Sequence, residues 1–438
     1  MRVGGILCVL LLAPAVARSQ ETLTLDQAVA VALKSNRLVR AAQLEVDKAG
    51  EDIKVAHTYG LPSFNFRLYE LQFLTKTHFE FPAGVFGVFP QIGPIPPTNT
   101  PVEIARRPAS IPYFQAAQPL TQLRRVKLGV LIQGLSQQIA QEKLREQQQD
   151  ITNQIKATYY NLLQVQSGID ATQEALTLYK ELDRVSNEAV LQQALLRGDM
   201  LEAQAGLAKT EEDMQVLRDT SSTLKEKLNE LMGRELSIDF TVVGALEPQA
   251  YALDLAAVRA KALEQRPELR EARLKKQQAE ADYKSKKTEY VPDVSLVFIY
   301  LSPFNVDVLP KNIATAGFSM TWDVFDFGKK KHELLGKSHI IEEAGAAIEE
   351  TAAQIQLDVG NRYRKMEEAR RQLRVTTLSR ELSQERVRVG LNRYQEKAVM
   401  LKDLLQLQTS LAEASYKYLE SLLAYWTARA ELEKAMGE

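Results

Sequence analysis

Residues 151–179, ITNQIKATYYNLLQVQSGIDATQEALTLY, place Ile151, Ile155, Thr158, Leu162, Val165, Ile169, Thr172, Leu176 and Tyr179 at alternating steps of four and three. That spacing makes a coiled-coil seam, a narrow apolar stripe that one helix presents to another. The seam lies within 120–247, a tract without proline, and a second proline-free tract covers 311–438. Proline removes a helical hydrogen bond and clashes with the preceding turn. Tracts that lack it and are rich in Gln, Glu, Leu, Ala and Lys can therefore hold very long helices.

Outward from these tracts the composition changes. Ten of the 16 prolines fall between Pro62 and Pro119, and 13 of the 14 phenylalanines fall within 64–114 and 298–327. There the apolar period shortens to two. Phe318, Met320, Trp322 and Val324 alternate with Ser319, Thr321 and Asp323, as in a strand with unlike faces. Val294, Leu296, Phe298 and Tyr300 repeat the pattern, Phe64, Phe66 and Leu68 begin a third strand, and Tyr113 to Leu120 gives a fourth.

The chain is one unit used twice. Ala32-Leu33 to Pro62 maps onto Ala262-Leu263 to Pro292 at an offset of 230, matching Arg40 with Arg270, Ala42 with Ala272 and Leu44 with Leu274. Leu25-Asp26 and Leu253-Asp254 match after a two-residue shift. Asp199, Gln204, Leu207, Met232 and Gly233 correspond to Asp403, Gln408, Leu411, Met436 and Gly437 at an offset of 204.

The expected organisation is a leader at 1–19, a first repeat at 20–233, a connecting segment at 234–253 and a second repeat at 254–438. Each repeat reads as a shorter helix, a β-hairpin (about 62–120 and 292–326), a long helix, a reversal and another shorter helix. The hairpin loops should hold about 30 residues around Pro82 to Pro108 and about ten around Pro303 to Asn312. Long helices near 126–194 and 329–397 would each run roughly 100 Å. The shorter helices, 199–232 with 254–289 and 400–436 with 26–59, sum to similar lengths if stacked end to end. The fold class is thus mainly α, with very long antiparallel coiled-coil helices and a small β part.

Several functions are excluded. Fifty-five Lys and Arg against 56 Asp and Glu leave no excess of positive charge for a nucleic-acid backbone. Cys8, the one cysteine, sits in the apolar core of the leader, which reads as a signal peptide. Past the leader no run of about 18 apolar residues could form a membrane-spanning helix. His57, His78, His332 and His339 are scattered, with no metal-ligand spacing. Asp326-Phe327-Gly328 lacks the other kinase motifs and reads as a strand-to-helix junction, while Arg197-Gly198-Asp199 falls where the helices reverse. No nucleophile, base and oxyanion site assembles, so neither an enzyme nor a cofactor is expected.

Strands cross a bilayer only in a closed barrel, and four per chain are too few to close one. If they cross a membrane, several chains must share the barrel, with the aromatic residues at its two interfaces. The alternative is an exported structural or adhesive coiled-coil binding protein without a pore. Lys329-Lys330-Lys331 and Arg124-Arg125 stand at matching hairpin-to-helix junctions, where a basic collar is expected.

Five segments carry a resemblance: Leu25-Asp26-Gln27-Ala28, Arg266-Pro267-Glu268-Leu269, Tyr290-Val291-Pro292, Asp323-Val324-Phe325-Asp326-Phe327-Gly328 and Asp403-Leu404-Leu405-Gln406-Leu407-Gln408. In this order, across both copies, the chain from about Leu23 to Gly437 resembles the TolC-like outer-membrane efflux proteins. The resemblance implies a homotrimer whose chains share a 12-stranded transmembrane barrel and a 12-helix periplasmic tunnel. It implies a passive exit duct in the outer membrane of a Gram-negative-type cell, part of a tripartite efflux pump or type I secretion system. The implied partners are outer-membrane lipid, a periplasmic adaptor and an inner-membrane pump. Segment 234–253 would belong to a belt around the tunnel. Asp403, Asp199 and Glu202 would line the closing periplasmic tip, and Gln193, Lys397 and Gly390 are the candidates for the adaptor-docking tip. The chain departs from the family pattern in having Lys397 and Gln193 where a glycine often stands, Gly390 a heptad earlier, and Gln406 in place of a second carboxylate.

Overall fold

The computed structural model describes residues 21–75, 77–104, 108–192, 197–244, 254–306, 309–396, 398 and 401–438. The leader, Gln193, Lys397 and residues 245–253 lie outside that description. In chain order the elements are β1 (Glu21–Leu23), α1 (Leu25–Ser35), α2 (Arg37–Thr58), β2 (Ser63–Gln72), β3 (Thr77–Phe81), β4 (Val88–Phe89), β5 (Gly93–Pro94), β6 (Thr100–Ile104), β7 (Pro108–Pro119), α3 (Leu123–Leu191) and α4 (Arg197–Leu231). The second half continues with β8 (Phe240–Val242), α5 (Leu255–Gln265), α6 (Pro267–Lys287), a 3-10 turn at Thr288–Tyr290, β9 (Asp293–Leu301), β10 (Ile313–Thr321), α7 (Lys329–Gln395) and α8 (Leu401–Met436). The two long helices and four long strands stand where the proline and phenylalanine distributions place them.

Two compact units cut across the sequence copies: one takes Met1–Leu44, Glu142–Arg270 and Glu349–Glu438, the other Glu45–Gln141 and Glu271–Ile348. In the first unit the seam on α3 is real. Ile151, Ile155, Leu162 and Leu176 are buried, together with Tyr159, Leu228, Met232, Phe240 and Leu423. Segment 234–253 contributes β8, which pairs in parallel with β1, Glu21 opposite Phe240 and Leu23 opposite Val242. The Tyr159 hydroxyl fastens this pair to α3. It lies 2.9 Å from the carbonyls of Leu23 and Val243, donating to one at a time, and accepts from the Val243 N–H at 3.0 Å.

The repeat is closer than the sequence reading had it. Thr24 and Asp254, which cap α1 and α5, are 230 apart, so the offset runs unshifted to the helix start. Leu25-Asp26 and Leu253-Asp254 are not equivalent, because Asp254 is the cap whereas Asp26 stands in the first turn. The helix expected at 26–59 breaks at Asn36 and that at 254–289 at Arg266, again 230 apart, both with extended backbone. Proline cannot donate to a helix ladder, so Pro267 restarts the second helix at its first position. In the first copy Asn36 does this work: its Oδ1 accepts from the Leu38 and Val39 N–H groups, while its Nδ2 donates to Leu231 O at 2.8 Å.

Those breaks receive the ends of α4 and α8. Gly233 (φ +68°) and Gly437 (φ +88°) close the two helices in the left-handed conformation, and the following N–H bonds five residues back, Arg234 to Asn229 O and Glu438 to Glu433 O. A Cβ on Gly233 would sit 2.3 Å from Ser35 O, and one on Gly437 2.8 Å from the carbonyl carbon of Gln265. The shorter helices therefore meet within each copy, α4 with α1–α2 and α8 with α5–α6. The expected pairing across copies is wrong, because summed lengths are the same either way and only the cap geometry distinguishes them.

The second unit holds an antiparallel sheet in the order β10-β9-β7-β2. Thr121 joins the two hairpins, donating through Oγ1 to Pro292 O and accepting from the Val294 N–H, each at 2.8 Å. The first hairpin loop, expected as about 30 residues around Pro82 to Pro108, has strands of its own. It continues as a ribbon, β3 with β6, tipped by β4 and β5.

Candidate functional site

Strand register sorts the sheet into two faces. Cross-strand rows Phe66-Phe114-Tyr300-Ala314 and Phe64-Ala116-Phe298-Ala316, with Leu296 and Phe318 beyond, make one face apolar and aromatic. Rings contact along it, Phe64 with Phe114 at 6.3 Å and Phe114 with Phe298 at 6.5 Å. The opposite rows, Ser63-Ala117-Val297-Gly317 and Asn65-Gln115-Ile299-Thr315, are small or polar except where β9 crosses them. The apolar face is open: Phe64 is 69% and Phe318 75% exposed. Such a surface is large for a water-facing one.

The sheet is also unfinished. β2 and β10 are its edges, ten and nine residues long, and among the described residues neither has a strand on its outer side. Bare edges of this length are templates for another chain. At about 3.4 Å per residue and a tilt near 40°, such strands rise about 23–26 Å, close to the height of the apolar band of a membrane barrel.

At the end of β10, Asp326 opens α7. Its Oδ1 and Oδ2 accept from the Gly328 and Lys330 N–H groups, each at 3.0 Å, and those backbone bonds hold its carboxyl below the ordinary range. Phe327 (φ +53°) and Gly328 (φ +87°) turn the chain here, and Phe325 and Phe327 meet edge to face at 4.6 Å. The Asp-Phe-Gly triplet is thus a strand-to-helix cap. Of the basic residues at the two hairpin-to-helix junctions, Arg125 pairs with Asp293 at 2.8 Å and Lys330 with Asp323 at 3.8 Å.

At the reversal between α7 and α8, Gly390 and Asp403 share one groove of about 310 Å³, lined also by Glu385, Arg386, Arg393 and Leu407. The sequence had assigned these two residues to different roles. Two arginines in the same groove also mean that Asp403 is not a bare acid. Glu202 is exposed on α4, and Asp199 lies in its first turn. Gln193 and Lys397 fall outside the described residues, so the structure brings neither to a site.

Sequence reasoning missed a matched pair near both reversals. Arg184 bonds Glu181 at 2.5 Å and Arg388 bonds Glu385 at 2.6 Å, lowering both glutamate pKa values below the ordinary range. The two pairs stand 204 apart, so the repeat offset itself was the signal. No described helix is long and apolar enough to cross a membrane.

Residues 258–438 match the family model of the outer membrane efflux protein. Four of the five motif segments lie in that range. No curated protein matches the sequence. Among solved structures, the fold is similar to the outer membrane channel CmeC of Campylobacter jejuni, TM-score 0.74 at 14% identity over 94% of this chain and 85% of that one. It is similar also to the outer membrane protein VceC of Vibrio cholerae, TM-score 0.70 at 15% identity over 94% and 96%. The open-state MtrE channel of Neisseria gonorrhoeae gives TM-score 0.70 at 16% identity over 94% and 88%. The shared property at these identities is the fold.

Proposed function

We propose that the chain is the outer-membrane exit duct of a tripartite efflux pump or type I secretion system. The observation that carries this reading is the four-stranded sheet with one open aromatic face and two bare edges of matching length. Lipid covers the face, and β10 of one copy pairs with β2 of the next. Three copies, the number that the resemblance to the TolC-like channels implies, close a 12-stranded barrel. The long and joined helices of the three copies then form the periplasmic tunnel. The family match over 258–438 and the fold of the solved outer-membrane channels support it.

The duct is passive. Its action is opening and closing at the α7–α8 and α3–α4 reversals when a periplasmic adaptor, coupled to an inner-membrane pump, docks there. Asp403 with Asp199 and Glu202 lines the closed tip, and because Gly390 shares the Asp403 groove, an adaptor docking there acts directly on Asp403. Extraction in mild detergent, light scattering corrected for bound detergent, and conductance in planar bilayers test the reading. A mass of three chains with discrete conductance is expected. A monodisperse soluble species recovered without detergent overturns it.

A further inference from the structure

The tip of the first hairpin loop has no part in that account. From Phe81 to Asn99 the chain carries no charged residue, yet Val85, Phe86, Val88, Phe89 and Ile92 are exposed, Ile92 by 75%. The tip is nevertheless built. Gly84, Gly87 and Gly93 take φ of +80°, +111° and +83° to turn it, and it bonds to itself: Gly84 N–H to Pro96 O at 2.9 Å, Phe86 N–H to Ile95 O and Ile95 N–H to Gly87 O at 3.0 Å. The Phe81 and Phe86 rings meet at 5.4 Å.

Three surroundings can cover such a patch. Water leaves an apolar surface of this extent unfavourable. Hydrocarbon is disfavoured because β2 has already spent its rise on the bilayer. The apolar alternation of its outer face ends at Glu70, which accepts a hydrogen bond from Ser110, and at Gln72. The tip also has irregular backbone, which hydrocarbon cannot satisfy. Protein remains, and the topology says which. The loop leaves β2, the sheet edge, and in the shared barrel that edge is the seam with the next copy.

We propose that segment 84–96 packs against neighbouring copies of this chain at the outer rim and narrows the external mouth of the duct. This rests on the shared-barrel reading. The mature chain after the leader is free of cysteine, so Val88→Cys with Ile92→Cys introduces the only thiols. Oxidation in isolated outer membranes is expected to give covalent dimers and trimers. Replacing 84–96 by a Gly-Ser linker is expected to raise single-channel conductance at least about twofold, without changing the three-chain mass. A three-chain preparation that forms no interchain disulfide, its thiols reacting with a water-soluble maleimide or protected by lipid, overturns the proposal, as does unchanged conductance after loop replacement. A one-chain mass refutes the shared barrel, and this proposal with it.

Discussion

Gly233→Ala tests the joint between α4 and the α1–α2 break. An L-residue at φ +68° costs roughly 1–2 kcal/mol. The new methyl would lie 2.3 Å from Ser35 O, so backbone must move about 1 Å to reach ordinary contact. That motion strains the buried bond from Asn36 Nδ2 to Leu231 O, worth about 1 kcal/mol. Against these, alanine stabilises by about 0.4–1 kcal/mol through the unfolded chain. The net expected loss is roughly 2 kcal/mol. Gly437→Ala should cost less, since its closest approach is 2.8 Å. Gly129→Ala, inside α3 with nothing within 4 Å, should be stabilising by about 0.5–1 kcal/mol. Guanidinium unfolding followed by helical circular dichroism in detergent ranks the three. A Gly233→Ala protein as stable as Gly129→Ala would refute the joint.

Tyr159→Phe removes the hydroxyl that serves β1 and β8, and a loss of about 1–2 kcal/mol is expected in the same unfolding assay. Burial, with Glu433 nearby, pushes the Tyr160 phenol up from 10.0 to about 12. Its neutral form is favoured by folding, so that stabilisation is complete below pH 10 and is lost as pH rises to 12; Tyr160→Phe should flatten this part of a stability-against-pH curve. Phe318→Arg, on the aromatic face, should destabilise each chain by roughly 2–4 kcal/mol, and Ser319→Arg, on the opposite face, far less. Heat-modifiable mobility of the assembled protein reads this, and equal effects would contradict the assignment of faces. Asp403→Asn should lower cation preference in reversal-potential measurements, without altering the amount of protein assembled.

How much was legible depended on whether a signal was periodic or conformational. The seam from Ile151 to Tyr179 repeats through four heptads of one helix, so its helix and buried face emerged together. Strand alternation at Phe64 to Leu68 and at Phe318 and Met320 likewise predicted which residues share a face, whereas Trp322 and Val324, read as the same strand, lie beyond its end at Thr321. Asn36 carried no such signal, because a helix break made by one side chain reaching Leu231 O, 195 residues away, leaves no local pattern. Pro267 did mark its partner break, and the offset of 230 could have transferred it. The ribbon of the first loop was hidden by its prolines, two of which, Pro101 in β6 and Pro94 in β5, sit within its short strands. At the candidate tip the motif alignment found Asp403 and Gly390 separately. Their common groove, and the arginines in it, depend on how α7 and α8 lie against each other, which spacing along either helix does not encode.

The paired joints have an ancestral implication. Caps 230 residues apart and glycine stops 204 apart repeat the same backbone joint in both halves, while Arg145 and Gln149 on α3 add bonds from the first half to the Gly437 carbonyl. A chain of about half this length, present six times, would satisfy the same joints around a ring. Such an ancestor would have had identical outer loops at all six positions. In the proposed trimer the present chain, with a ribbon in one half and a short turn in the other, modifies three positions and leaves three alone, a freedom that fusion of two half-genes supplies and six equal subunits lack.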